Sequence, residues 1–237
     1  MFGAAVVLCA SPLFSQVSVK VATDRRTYLQ YEEIFVKATL RNYSGKALVF
    51  GETEEMKGEI NFIIDTPGKN VAELRKKRYN PMIGVVLPPG GMEDVVIPVS
   101  RLYNITRVGS YTLRAVIRHK LLSSTYESNS ISFTVCNGKT EWERLVGVPD
   151  LFKKKGDRDE PRSVKLVSFY DGAGKVFCLV IEDKFNICGV ARIGYDIGGN
   201  PPDCEVDGLS RVHILLPVSP SLFSYYCHNI NCMLQER

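Results

Sequence analysis

The chain has 237 residues, with 45% apolar and 24% charged side chains, enough for one large or two modest folded cores and too apolar for a disordered tether. Its net charge of +4 is far short of the dense basic face that nucleic acid requires, so no nucleic-acid partner is expected. From Phe2 to Phe14 the chain is apolar or small and carries no charge, and the polar pattern of Ser18, Lys20 and Asp24 follows. This predicts a secretory signal peptide over residues 1–15, cut after Ser15, although no Lys or Arg precedes the apolar run. A buried first strand is the competing reading. The run is shorter than the roughly 20 residues a bilayer core needs, so no transmembrane span is expected in the mature chain.

Residues 16–136 are dominated by two-residue alternation, the mark of strands with one wet and one packed face. Val17, Val19 and Val21 form one set, then Ile34, Val36, Ala38 and Leu40, then Ile60, Phe62 and Ile64. Val95, Ile97 and Val99 follow, then Tyr111, Leu113, Ala115 and Ile117, and finally Ile131, Phe133 and Val135. Turn signals separate them at Asn42–Gly45, Thr66–Lys69, Pro88–Gly91 and Ser128–Asn129. Seven or eight short strands in such a span predict an immunoglobulin-like antiparallel sandwich. In that architecture a tyrosine near the start of the penultimate strand turns its hydroxyl back onto upstream backbone, and a nearby glycine gives the chain room to turn. Gly109 and Tyr111 match this structural corner.

Glu33 with its alternating strand, Asn42 at the strand's end, the Gly109/Tyr111 corner and Ser128–Asn129 before the last strand together carry a resemblance. Over roughly the first half, the chain resembles the Ig-like modules of exported bacterial proteins, including the BsuPI-type proteinase-inhibitor domain. The resemblance implies a fold and an exported context. None of the matched positions is an inhibitory residue.

After Val135 the pattern breaks. Residues 137–162 are expected to be a joint. Thr140 and Glu143 stand at capping-box spacing, which predicts a single helical turn ending by Gly147. Trp142 is expected as a wedge between modules, and the charged stretch 153–161 as a solvated linker. Residues 163–237 are expected to form a smaller antiparallel β module, a meander closing into a small barrel or half-sandwich. Its strands are read over 164–170, 175–182, 187–193, 211–216, 222–227 and 233–235. The unbroken apolar run Val176–Ile181 predicts a central strand covered on both faces.

Of the seven cysteines, six lie between Cys136 and Cys232. An even number confined to one module of an exported chain points to disulfides, with fifteen possible connectivities. Cys227 and Cys232 would face each other across a His228–Asn231 hairpin loop. Cys178 and Cys188 would pair only if their hairpin had an odd loop centred on Asp183, which would leave Cys136 to Cys204. Burial as small apolar thiols is the alternative. The Cys227–Cys232 spacing lacks a second pair for zinc, and Asp203, Glu205 and Asp207 begin a calcium-like loop whose twelfth position is Ile214. No metal or other cofactor is therefore expected. His119, His213 and His228 stand in no catalytic frame, and His213 reads as a strand residue. Asn42 and Asn104 head glycosylation sequons.

The expected function is that of an exported, non-enzymatic binding or scaffold protein, secreted, periplasmic or at the cell surface. It would engage a protein or glycan partner through loops such as Leu74–Pro81, where Arg75, Lys76, Lys77 and Arg78 adjoin Tyr79. A secreted proteinase inhibitor is the alternative, and an all-β hydrolase a third, since paired carboxylates meet only in three dimensions.

Overall fold

The computed structural model describes residues 16–68, 70–75, 79–153 and 160–237. The segment expected as a signal peptide, with Cys9, the basic residues Lys76, Lys77 and Arg78, and most of the charged 153–161 stretch lie outside the described residues. The chain is all-β.

Strands β1 (Val17–Thr23), β2 (Thr27–Leu29), β3 (Phe35–Asn42), β4 (Leu48–Val49), β5 (Gly58–Asp65), β6 (Val86–Leu87) and β7 (Met92–Pro98) make up most of the first half. One helical turn, α1 (Val99–Leu102), leads to β8 (Gly109–His119), β9 (Tyr126–Glu127) and β10 (Ile131–Cys136). One sheet runs β1-β3-β7 and the facing sheet β2-β10-β8-β5, with β9 beside β8. The chain leaves the first sheet after β1 and re-enters the second as β2, parallel to β10. That switch, with antiparallel pairing elsewhere, is the strand order of an immunoglobulin-like sandwich. The alternation explains the packing: Val19, Val36 and Leu40 from one sheet meet Phe62, Leu113 and Phe133 from the other in one buried cluster. The outer edge of β1 is closed by a side chain, because Asn129 Oδ1 accepts from Val21 N at 2.9 Å and Nδ2 donates to Val21 O at 3.1 Å.

The second half holds β11 (Lys139–Val146), β12 (Arg162–Tyr170), β13 (Lys175–Glu182), β14 (Ile187–Tyr195), β15 (Asp203–Val206), β16 (Val212–Ser219), β17 (Leu222–His228) and β18 (Leu234–Glu236). They form two four-stranded meanders, β11-β12-β13-β14 and β15-β16-β17-β18. Leu166, Phe177 and Leu179 of one pack against Ile214, Leu216 and Tyr226 of the other, so this half is a face-to-face sandwich rather than a barrel. The run Val176–Ile181 is buried on both faces of β13. Phe177, Leu179 and Ile181 face the core, while Val176, Cys178 and Val180 face the other half of the molecule.

Residues 139–146 correct the sequence reading. They form a strand paired with β12, with a register shift between Thr140 and Trp142, and not a helical turn. Pairing to the apolar β12 outweighs a capping signal that would have supported only one turn. Trp142 packs on the second half's own core rather than between the halves. Only Asn137 and Gly138 lie between β10 and β11.

Candidate functional site

The two halves meet over an apolar patch surrounded by a buried ion network. Leu29 and Cys136 of the first half pack with Val167, Phe169, Cys178 and Val190 of the second. At Gly138 the chain runs tight against this patch: a Cβ there would stand 2.2 Å from Val167 Cγ1 and 2.9 Å from Ser168 O.

Beside this patch, Arg192 of β14 reaches across. Its Nε donates to Glu32 Oε1 at 2.9 Å, its Nη1 to Asp171 Oδ2 at 2.8 Å and its Nη2 to Thr27 O at 3.2 Å. The guanidinium lies 5.2 Å above the Phe169 ring. Glu32 is only 5% exposed and accepts further bonds from Arg25 Nη1 at 3.0 Å and Leu29 N at 2.9 Å. Burial works against charge on both Arg192 and Asp171 but is outweighed. Bonds from Tyr195 and Arg192 leave the Asp171 carboxyl below its usual range, and Glu32 and Asp171 hold Arg192 above its own. Glu32 is saturated with donors, from Arg25, Arg192 and the Leu29 backbone. A carboxylate bonded in this way is unsuited to act as a proton donor or nucleophile.

Arg25, Glu32 and Arg192 of this network line a cleft of about 670 Å³ between the halves. One wall is β14, the edge strand of its sheet, with Asn231 and Cys232 from the β17–β18 loop. The opposite wall carries Tyr31, Phe35 and Arg75, together with Glu33, which is ion-paired to Arg101. Arg75 is bonded through Nη2 to the neutral Asn104 Oδ1 at 2.8 Å, so its charge is not offset there. Four arginines and two glutamates line the cleft, which leaves it net cationic.

The other residues singled out in the sequence fall in separate places. The Tyr111 hydroxyl donates to Arg107 O at 2.6 Å and accepts from Arg107 N at 3.0 Å, while Gly109 takes φ +137° against Pro67. This is the backbone lock described for such sandwiches, and neither residue lines the cleft. Within the proposed basic loop, Arg75 reaches the cleft and Tyr79 is exposed. Asn42 is fully buried, its side chain bonded to Lys46 O and Leu87 O, so that sequon is closed to modification.

All six described cysteines carry thiols, and the strand register rules out two of the sequence-based pairings. Cys178 stands opposite Arg192 rather than Cys188, because the hairpin loop has four residues and β14 is bulged. Cys227 stands opposite Glu236 on β18, and Cys232 lies in the loop between the strands. Cys136 packs in the patch between the halves and Cys204 in the second half's core, which separates that pair as well.

Asp203, Glu205 and Asp207 do not converge. The first two are on β15, and Asp207 organises the following turn by accepting from Leu209 N and Arg211 N, both at 2.9 Å. His213 bridges Asp207 Oδ2 at 3.1 Å and the Tyr225 hydroxyl at 2.7 Å on the outer face of the sheet. Burial would raise the Asp207 carboxyl, but the bonds from Arg211 and His213 hold it well below its usual range.

Sequence reasoning missed Glu32 and Arg192, which stand 160 positions apart. The available signal was weak: a charge inside the otherwise apolar run Cys188–Ile193. Among the described residues no helix is long and apolar enough to cross a membrane.

No protein-family model matches the chain, and no curated protein matches it. Among solved structures, one similar to it is that of Spo0M, a sporulation control protein from Bacillus subtilis. It is 7% identical, covers 76% of this chain and 91% of its own, and has a TM-score of 0.32, a level of likeness on which no argument is built.

Proposed function

We propose that the protein is an exported, non-enzymatic binding or scaffold protein that engages a protein or glycan partner at the cell surface through the cleft between its halves. The observation that carries this reading is the cleft itself. It measures about 670 Å³, its walls are held in place by Arg192, Glu32 and Asp171, and it is rimmed by exposed aromatic and cationic side chains. Walls fixed in advance reduce the ordering cost of binding, and arginine and tyrosine are the residues that most often anchor interfaces. The carboxylates in the cleft are bound by arginines, which favours recognition over proton transfer. Export rests on the apolar N-terminal segment and on the resemblance of the first half to exported Ig-like modules.

The test is cross-linked affinity capture in native cells, comparing wild-type protein with Arg75→Glu. A defined envelope partner recovered with the wild type and lost with the charge reversal is the expected result. Equal recovery by both proteins would remove the cleft from the proposal, and a cytosolic protein retaining residues 1–15 would remove export.

A further inference from the structure

We infer that Cys188 and Cys232 form a dithiol/disulfide pair that bridges the two sheets of the second half at the cleft wall. Ile181 stands opposite Gly189 and Glu182 opposite Ile187, so Cys188 is the extra residue of a bulge. By strict alternation Cys188 would point away from Gly189's face, and a bulge turns successive side chains toward the same side. Cys188 accordingly packs on the core that receives Ile181 and Leu179.

Cys232, in the β17–β18 loop, packs on that same core, and its Cβ lies 2.5 Å from where a Gly189 side chain would begin. The absence of a side chain at Gly189 is what lets the loop approach β14 this closely. Cys232 is itself held at φ +62°, a left-handed conformation that a non-glycine residue keeps only where its surroundings impose it. Burial, and next the neighbouring Cys188 sulfur, push the Cys232 thiol up to about 12.

Of the other described cysteines, Cys204 alone shares this core with Cys188 and Cys232. Cys136 and Cys178 lie in the patch between the halves, Cys227 is buried on β17 outside the core cluster that holds its neighbour Tyr226, and Cys204 reaches the core from β15, opposite Ile214.

The reaction is thiol–disulfide exchange. Each thiol gives up its proton, the two sulfurs join, and the two electrons reduce one molecule of a small-molecule disulfide to two thiols. The bond would tie residues 188 and 232 across the sandwich and fix the wall that Gly189 and Asn231 also line.

The experiment equilibrates the purified full chain with a small-molecule disulfide and its thiol, blocks residual thiols, and maps peptides without reduction. The expected result is a linked pair of peptides containing Cys188 and Cys232, about 2 Da lighter than their sum. It should be accompanied by a rise in Tm of about 5 °C or more, absent from both Cys188→Ser and Cys232→Ser. Separate alkylation of both residues under oxidising conditions, or a crosslink joining either one to another cysteine in the folded chain, would overturn the inference. The mapping uses the natural chain and so stands even if a serine variant fails to fold. Being done in vitro, it is independent of where the protein resides and of whether the cleft binds a partner.

Discussion

Arg192 ties the two halves together through Glu32 and the Thr27 carbonyl. It is 12% exposed, and its partners Glu32 and Asp171 are each 5% exposed. Its loss would leave Glu32 with Arg25 and the Leu29 backbone, and Asp171 with Tyr195, and breaking a buried ion network by removing one member typically costs about 3–5 kcal/mol. Arg192→Met is therefore expected to lower stability by about that amount in a urea titration. A loss below about 1 kcal/mol would mean that water replaces the guanidinium. The corner at Tyr111 is a smaller case. Tyr111→Phe deletes one donor and one acceptor to Arg107 backbone and is expected to cost about 1–2 kcal/mol. This position was legible from its neighbours in the chain, since a glycine two residues before a tyrosine at the start of an alternating strand is a local pattern. Glu32 and Arg192 were not legible, because no short-range pattern links two charges whose meeting depends on how two sandwiches dock.

At the scale of elements, the strands follow from side-chain alternation, and the exceptions follow from pairing partners. Residues 139–146 alternate poorly and carry a capping signal, yet β12 offers them a complete hydrogen-bonding edge. The bulge in β14 has the opposite character, since one added residue redirects Cys188 and changes which cysteines can meet. The joint of Asn137 and Gly138 shows how short a connection can hold two sandwiches together. Gly138→Val would drive carbon into Val167 and the Ser168 carbonyl, so it is expected to loosen the docking of the halves. Hydrogen exchange should then report faster exchange at Leu29 and Val167 while the inner core strands stay protected; unchanged exchange at both would show that the patch can shift to make room.

For the molecule as a whole, pH acts from two sides. On the acid side, bonds from Ser168, Lys175 and Lys139 bring Glu141 down to about 2, and Asp171 is likewise lowered. Both are ionised in the folded chain at a pH where the unfolded chain would protonate them. Their contribution is therefore complete above the ordinary carboxylate range and is lost as pH falls from about 4.5 towards 2. On the alkaline side, burial pushes Cys204 and Cys232 up to about 12. Folding favours these protonated thiols, so their contribution is complete below the ordinary thiol range and declines as pH rises above about 8.5. Thermal unfolding of the reduced protein across pH should show a broad optimum with both limbs falling. A flat alkaline limb would show that these thiols are not desolvated in solution.

The sequence by itself determined that the chain is all-β, where most strands lie, that β13 is covered on both faces, and where the tyrosine corner turns. Those properties are set by neighbours a few residues apart, through two-residue alternation and turn chemistry, and so can be read along the chain. Tertiary structure alone decided that 139–146 is a strand, that the second half is a face-to-face sandwich, that Cys232 stands against Gly189 of β14 rather than across a hairpin from Cys227, and that Arg192 reaches Glu32 from the other half. Each of these depends on which surfaces meet after the strands have formed. That choice is made by the summed burial and hydrogen bonding of segments far apart in sequence, of which a single segment carries no trace.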